Sequence, residues 1–229
     1  MHSLDLIELS SFVLPLVIAI TMHEAAHGFV ANLLGDNTAK KMGRVTFNPL
    51  RHVDVMGTLI LPGLLLTSGL PVLGWAKPVP VNFHNLRHPR FDAIFVALAG
   101  PLINIILAFL SALALHVEML ITPEKAPWLF MNLYNSIFVN IILAVFNLLP
   151  ILPLDGGRIL NALLPPKIAD IYSRSERFGI FLLFGMLMLS YALNSLHILD
   201  MGLTYYLLYI PVDFVRDIVL HLAGIGNTQ

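Results

Sequence analysis

The sequence contains no cysteine. Disulfides and thiolate metal sites are therefore excluded, and any bound metal must take nitrogen or oxygen ligands. Charge is scarce as well. Only 12% of the 229 residues are Asp, Glu, Lys or Arg, against about 25% in a soluble domain. That is too little to wet a globular surface. With 57% hydrophobic residues, the composition is that of a polytopic membrane protein with the lipid bilayer as its main partner. A net charge of -1 gives no reason to expect nucleic acid. The segment before the first apolar run carries Asp5 and Glu8 in place of a basic n-region, so no cleavable signal peptide is expected. Internal repeats, low-complexity tracts and long linkers are lacking too. Residues 1–229 read as a single membrane-embedded domain.

What is present is a series of apolar runs. Spanning a bilayer takes about 20 residues, and four runs are long enough: 9–34, 91–116, 130–152 and 178–196. A fifth, 201–222, is interrupted by Pro211 and Asp213. A sixth, 57–73, is short and punctuated by glycine and proline. Lys and Arg collect on the cytoplasmic side of short loops. If 57–73 is re-entrant, nearly every basic residue falls on one side and only Lys125 faces the other. Full crossing would divide them. The expected fold is thus an all-α polytopic membrane protein with about five spans and a re-entrant segment. Its N-terminus is outside and its C-terminus in the cytosol. The catalytic core is expected over about 9–160 and the C-terminal helices over about 176–222.

Two stretches, GRVTFNP (43–49) and WAKPVPVN (75–82), show alternation and β-branched residues. They are expected as short strands near the active site, although Pro78 and Pro80 allow only an edge strand or an irregular extended segment. Non-helical backbone at membrane depth needs protein or a water-filled cavity around it, so these stretches imply a cavity.

The first run holds His23-Glu24-Ala25-Ala26-His27. On a helix, positions i and i+4 share a face, so both imidazoles reach one ion. Glu24 lies one residue along, where it addresses a metal-activated water instead of the metal. Two hydrogen-bonded histidines and a capping glutamate would be the bland account, but ionisable groups in mid-span are expensive and point to function. Catalytic zinc usually takes three protein ligands. Val30 and Leu33 occupy the places where a metzincin carries Gly and its third His. The remaining cytosolic-side candidates are Asp36, Asp54, Asp92, Asp155 and Asp170. Depth separates them. The histidines sit about two-thirds along a span running toward the cytosol, and the span from Phe130 runs the same way. It brings Asp155 near their level if Pro150 and Pro153 unwind the helix. Asp36 and Asp54 lie in basic loops, where a solvated or paired carboxylate suffices, and Asp92 suits a helix N-terminus.

HEAAH (23–27), AGPLIN (99–104) and NLLPILPLDGG (147–157) in this order resemble the site-2 protease family of intramembrane metalloproteases, in a small form without PDZ or CBS domains. The resemblance covers most of the first 160 residues. It implies one Zn2+ held by His23, His27 and Asp155, with Glu24 as general acid/base. It implies cleavage in or beside a transmembrane segment of another, single-pass membrane protein, and a bacterial plasma-membrane location with the active site toward the cytosol. By analogy Asn147, and less directly Asn104, would steady the substrate backbone or oxyanion.

Three other readings compete. His84 and His88 form a second HxxxH box, as a membrane di-iron oxidase or desaturase would use, but there is no adjacent His-His pair and Pro89 follows His88. A zinc transporter also holds His and Asp within spans, but it needs a path open to both sides, and the sequence shows no repeat halves. A catalytically inactive scaffold is disfavoured by the complete HExxH and the aspartate.

Overall fold

The computed structural model describes residues 6–61, 64–65, 76–120, 126–195 and 205–225. Helix α1 runs over Leu6–Leu33 and a short α2 over Thr38–Lys41. Helix α3 spans Pro89–Leu120 and α4 Pro127–Asn147. They are followed by α5 (Asp155–Leu163), α6 (Pro166–Ser173), α7 (Glu176–Ser195) and α8 (Ile210–Leu222). Three of these are long and apolar enough to cross a membrane: Ile7–Leu33, Pro89–His116 and Pro127–Asn147. They match the first three expected runs. Only 33%, 33% and 39% of their apolar windows are buried in the protein, so most of each faces outward. Phe12, Phe95, Leu102 and Tyr134 are all exposed there, a surface suited to lipid and not to water.

Helices α1, α3 and α4 pack against one another, and α5 lies against α3. Fully buried Ala108 and Ala112 on α3 meet Ile137, Ile141 and Val145 of α4, with Val212 and Val219 of α8 alongside. Small residues at such contacts let helix backbones approach where lipid supplies no hydrophobic drive.

The third run ends earlier than expected. Helix α4 stops at Asn147, ahead of Pro150 and Pro153, each of which lacks a helical N–H. Segment 148–154 then folds back and α5 begins at Asp155. This fold-back depends on Gly156 and Gly157. A Cβ on Gly156 would lie 2.1 Å from the Leu148 carbonyl oxygen, and one on Gly157 would lie 2.5 Å from Ile151 and Leu152 backbone atoms. The fourth expected run coincides with α7. In the fifth, Pro211 sits in the first turn of α8, directly after a π-helical stretch at Tyr205–Tyr209. Of the expected re-entrant segment, residues 57–61 and 64–65 are helical, and the rest lies outside the described residues.

The expected strands are not formed: no strand occurs among the described residues. Segment 76–82 is extended, but its amides go to other partners than a strand. Lys77 N donates to His52 O (2.8 Å), Val79 N to Glu24 Oε2 (2.7 Å) and Asn82 N to Asp36 Oδ2 (2.7 Å). Pro78 and Pro80 have no N–H to offer. In segment 43–49, the buried Arg44 guanidinium binds the Arg51 carbonyl, and His52 Nε2 meets the Thr46 carbonyl at 3.0 Å. Turn contacts thus replace a ladder.

Candidate metal centre

His23 and His27 stand one turn apart on the inner face of α1, both buried, with ring centroids 4.7 Å apart. The fold-back after α4 delivers Asp155 to them. His23 Nε2 lies 3.2 Å and His27 Nε2 3.4 Å from the same oxygen, Asp155 Oδ2. Among the described residues this is the one His/Asp/Glu group compact enough for an ion, with its ligand atoms within 4.8 Å of one another.

The protons on the two rings follow from what lies behind them. His27 Nδ1 faces the Val96 backbone carbonyl at 2.7 Å. A carbonyl only accepts, so Nδ1 carries the hydrogen and Nε2 a lone pair. His23 Nδ1 faces Asn104 Oδ1 at 2.6 Å, while Asn104 Nδ2 donates to the Ala19 carbonyl at 3.3 Å. That orientation makes the Asn104 oxygen the acceptor, and His23 Nε2 also bears a lone pair. Two imidazole lone pairs and a carboxylate oxygen therefore converge, and Asp155 Oδ2 is buried without a hydrogen-bond donor. Such an arrangement is repulsive until a cation enters. The nitrogen–oxygen donor set suits zinc. Space is kept for it by Gly100: a Cβ there would sit 2.5 Å from His23 Nε2 and 2.5 Å from His27 Nε2.

Glu24 is half-buried, and its carboxylate accepts the Val79 N–H from segment 76–82. Asn104 is fully buried, committed to His23 and neighbouring helices. Asn147, the last residue of α4, is half-buried and donates to the Leu143 carbonyl one turn back at 2.9 Å.

The other aspartates have separate duties. Asp54 accepts the Gly57 N–H at 2.8 Å, Asp92 accepts the His88 N–H at 2.8 Å, and Asp170 pairs with Arg174 at 2.9 Å. Asp36, expected as a solvated or ion-paired loop residue, is instead fully buried and held by Thr38, Asn82 and Asn85. Burial raises the pKa of its carboxyl, but the hydrogen bonds from Thr38, Asn85 and Asn82 outweigh this and hold it below the ordinary carboxylate value. His84 and His88 are exposed and join no ligand cluster among the described residues.

Sequence reasoning missed the Val96 carbonyl, a backbone group with no side-chain signature. It also passed over Gly100 as a spacer, although an isolated glycine within an apolar helix was a signal that something approaches closely.

The profile of "Peptidase family M50" matches residues 123–190. YwhC of Bacillus subtilis, which bears the name of a zinc metalloprotease, is 40% identical over 173 residues, covering 73% of this chain and 75% of that one. Rip2 of Mycobacterium tuberculosis (strain H37Rv), similarly named, is 30% identical over 180 residues, 78% of this chain and 66% of its own. "Zinc metalloprotease MJ0392" of Methanocaldococcus jannaschii is 24% identical over 184 residues, covering 80% of this chain and 43% of its own. No solved structure matches. Identity of 40% sustained over about three quarters of both chains leaves little room for chance: this integral membrane protein belongs to Peptidase family M50 and is a zinc metalloprotease.

Proposed function

We propose that the protein is an intramembrane endopeptidase that hydrolyses a peptide bond in or next to a transmembrane segment of a single-pass membrane protein. The observation that carries this reading is the convergence of His23, His27 and Asp155 among helices that expose apolar flanks to lipid. Bound zinc supplies Lewis acidity, acidifying a water and polarising the scissile carbonyl. His23, His27 and Asp155 hold the ion. Glu24 takes the proton from the attacking water and returns it to the leaving amine. Asn147 lies where the chain turns toward Asp155, and it steadies the substrate backbone or the developing oxyanion. Asn104 acts behind His23.

A helical substrate hides its peptide bonds in its own hydrogen bonds, so it must unwind before attack. Segment 79–82, tied to Glu24 through the Val79 N–H, offers an edge for the unwound stretch. A cavity of about 550 Å3 opens on the flank of α1 between Ala25, Ala26, Phe29, Val45, Phe47 and Ile103. Its lining alternates along α1 with the metal and acid residues and is almost wholly apolar, which suits a hydrophobic substrate side chain. Proline grafted into the substrate's unwound stretch, or deletion of 77–82, changes processing. Unaltered cleavage in both cases removes the edge.

The deciding experiment is Glu24→Gln in purified protein with a single-pass substrate. The variant keeps its zinc and loses turnover by about 10²–10⁴-fold. Retained zinc uptake into vesicles with no peptide-bond cleavage in the wild type favours a transporter. The basic-residue asymmetry supports an active site toward the cytosol, and the family resemblance supports a bacterial plasma membrane. Because the chain has no cysteine, a single one introduced at position 84 or 125 reports sidedness. Labelling of both from the same face refutes that orientation.

A further inference from the structure

The asparagine behind His23 is itself held in place. Asn104 Nδ2 donates to Asn140 Oδ1 on α4 at 2.8 Å, a closer contact than its bond to Ala19. Asn140 Nδ2 donates in turn to the Ser136 carbonyl at 2.9 Å and lies 3.3 Å from the Ser136 hydroxyl. That hydroxyl pairs with Ser111 Oγ of α3 at 2.8 Å. Asn104 and Asn140 are 0% and 1% exposed, so no solvent competes for these bonds. The chain crosses from α1 through α3 to α4, and Asn140 plays no part in the chemistry described above.

A side-chain amide turned by 180° keeps its shape but exchanges donor and acceptor. If Asn104 turned, its NH2 would face His23 Nδ1. That nitrogen would have to surrender its hydrogen to Nε2, and the lone pair aimed at the metal position would be lost. The Ser136 backbone carbonyl prevents this. As a pure acceptor it fixes Asn140 with its NH2 toward α4's own backbone and its oxygen toward Asn104. Asn140 then fixes Asn104 with its oxygen toward His23. From this we infer that Asn140 is a positioning residue for the metal centre. It transmits the polarity of a backbone carbonyl through Asn104 and keeps His23 in the tautomer whose Nε2 binds zinc. Burial in an apolar bundle strengthens the device, because water offers no alternative partner for a turned amide.

The test uses zinc affinity, measured by chelator competition on the detergent-solubilised protein. It also uses the visible absorption of the cobalt-substituted protein, which reports ligand geometry. Groups that hydrogen-bond the far nitrogen of a metal-binding histidine are worth about 10–100-fold in metal affinity. Asn140→Leu is expected to weaken zinc by about tenfold and alter the cobalt spectrum, and Asn104→Leu to weaken it at least as much. The double variant should match Asn104→Leu alone, because Asn140 acts only through Asn104. Asn132→Leu is the control. This asparagine is also buried on α4, but among the described residues it bonds only to the Trp128 carbonyl of its own helix, so zinc affinity should stay within about twofold. If Asn140→Leu does not fold, Asn140→Ser replaces it. A serine hydroxyl bonds its own helix but is too short to reach Asn104, and the same tenfold loss is expected. His23→Ala fixes the reference: loss of zinc there shows that the site itself is correctly identified. With that in hand, unchanged zinc affinity in the Asn140 variants overturns the inference. So does a double variant whose losses multiply, or an equal loss in Asn132→Leu.

Discussion

Replacing Gly100 by alanine adds one methyl group, and the structure puts that methyl against the metal ligands. It would meet His23 Cε1, His23 Nε2 and His27 Nε2, each at 2.5 Å, nearly an ångström short of ordinary contact. Helix α3 cannot withdraw freely, because the Val96 carbonyl on the same helix holds His27 at 2.7 Å. The rings cannot swing aside without releasing Val96 and Asn104, which hold them at 2.7 and 2.6 Å. Each of those bonds is worth about 0.5–1.5 kcal/mol net. Losing both costs about 1–3 kcal/mol, which at about 1.4 kcal/mol per decade is roughly a fivefold to hundredfold loss of zinc affinity. Chelator competition measures it. A thermal melt of the zinc-free protein separates a damaged site from a damaged bundle, and the apo melt should move far less than the zinc-induced stabilisation. A Gly100→Ala protein that binds zinc within about twofold of wild type refutes the reasoning. The α3 backbone would then be free to move away from the imidazoles.

Asp155→Ala and His27→Ala should each purify with little or no zinc by metal analysis, and unchanged zinc content in the aspartate variant refutes the third ligand. The depressed pKa of Asp36 means that its carboxylate stabilises the fold above the ordinary carboxylate range, near pH 4. That contribution disappears as pH falls through the lower folded value. Melting temperature followed from neutral to acid pH should therefore fall less steeply in Asp36→Asn than in wild type, from a lower starting point; parallel curves contradict this role. Ala26→Leu narrows the cavity beside α1 and should raise KM for substrates with a large apolar residue near the cleaved bond, with smaller effect on those with alanine there. Equal effects on both would show that the cavity takes no substrate side chain.

The His23–His27 pair was legible because helix periodicity alone puts i and i+4 on one face. Asp155 was legible because Pro150 and Pro153, only three residues apart, remove two helical N–H donors from one turn. The two glycines after it let the 148–154 backbone lie against α5. Asn104 was noticed through AGPLIN and assigned toward substrate. Its partner was hidden because a lone polar residue in an apolar run does not reveal which helix it faces. The strands were misread for a related reason. Alternation reports that a segment is extended, not what its amides bond to, and here they meet the carboxylates of Glu24 and Asp36 from 55 and 46 positions away. Asp36 looked solvated because two of the donors that satisfy it, the Asn82 N–H and the Asn85 amide, come from a later loop, while only Thr38 is near it in sequence.

The wide separation of the metal ligands along the chain has a consequence for biosynthesis. A ribosome that has released only the first helix into the membrane has made both imidazoles but no carboxylate, and the partial site lacks the chelation needed to keep its metal. The site is complete only after the fold-back at 148–154 has been translated and α5, which begins at Asp155, has packed against α3.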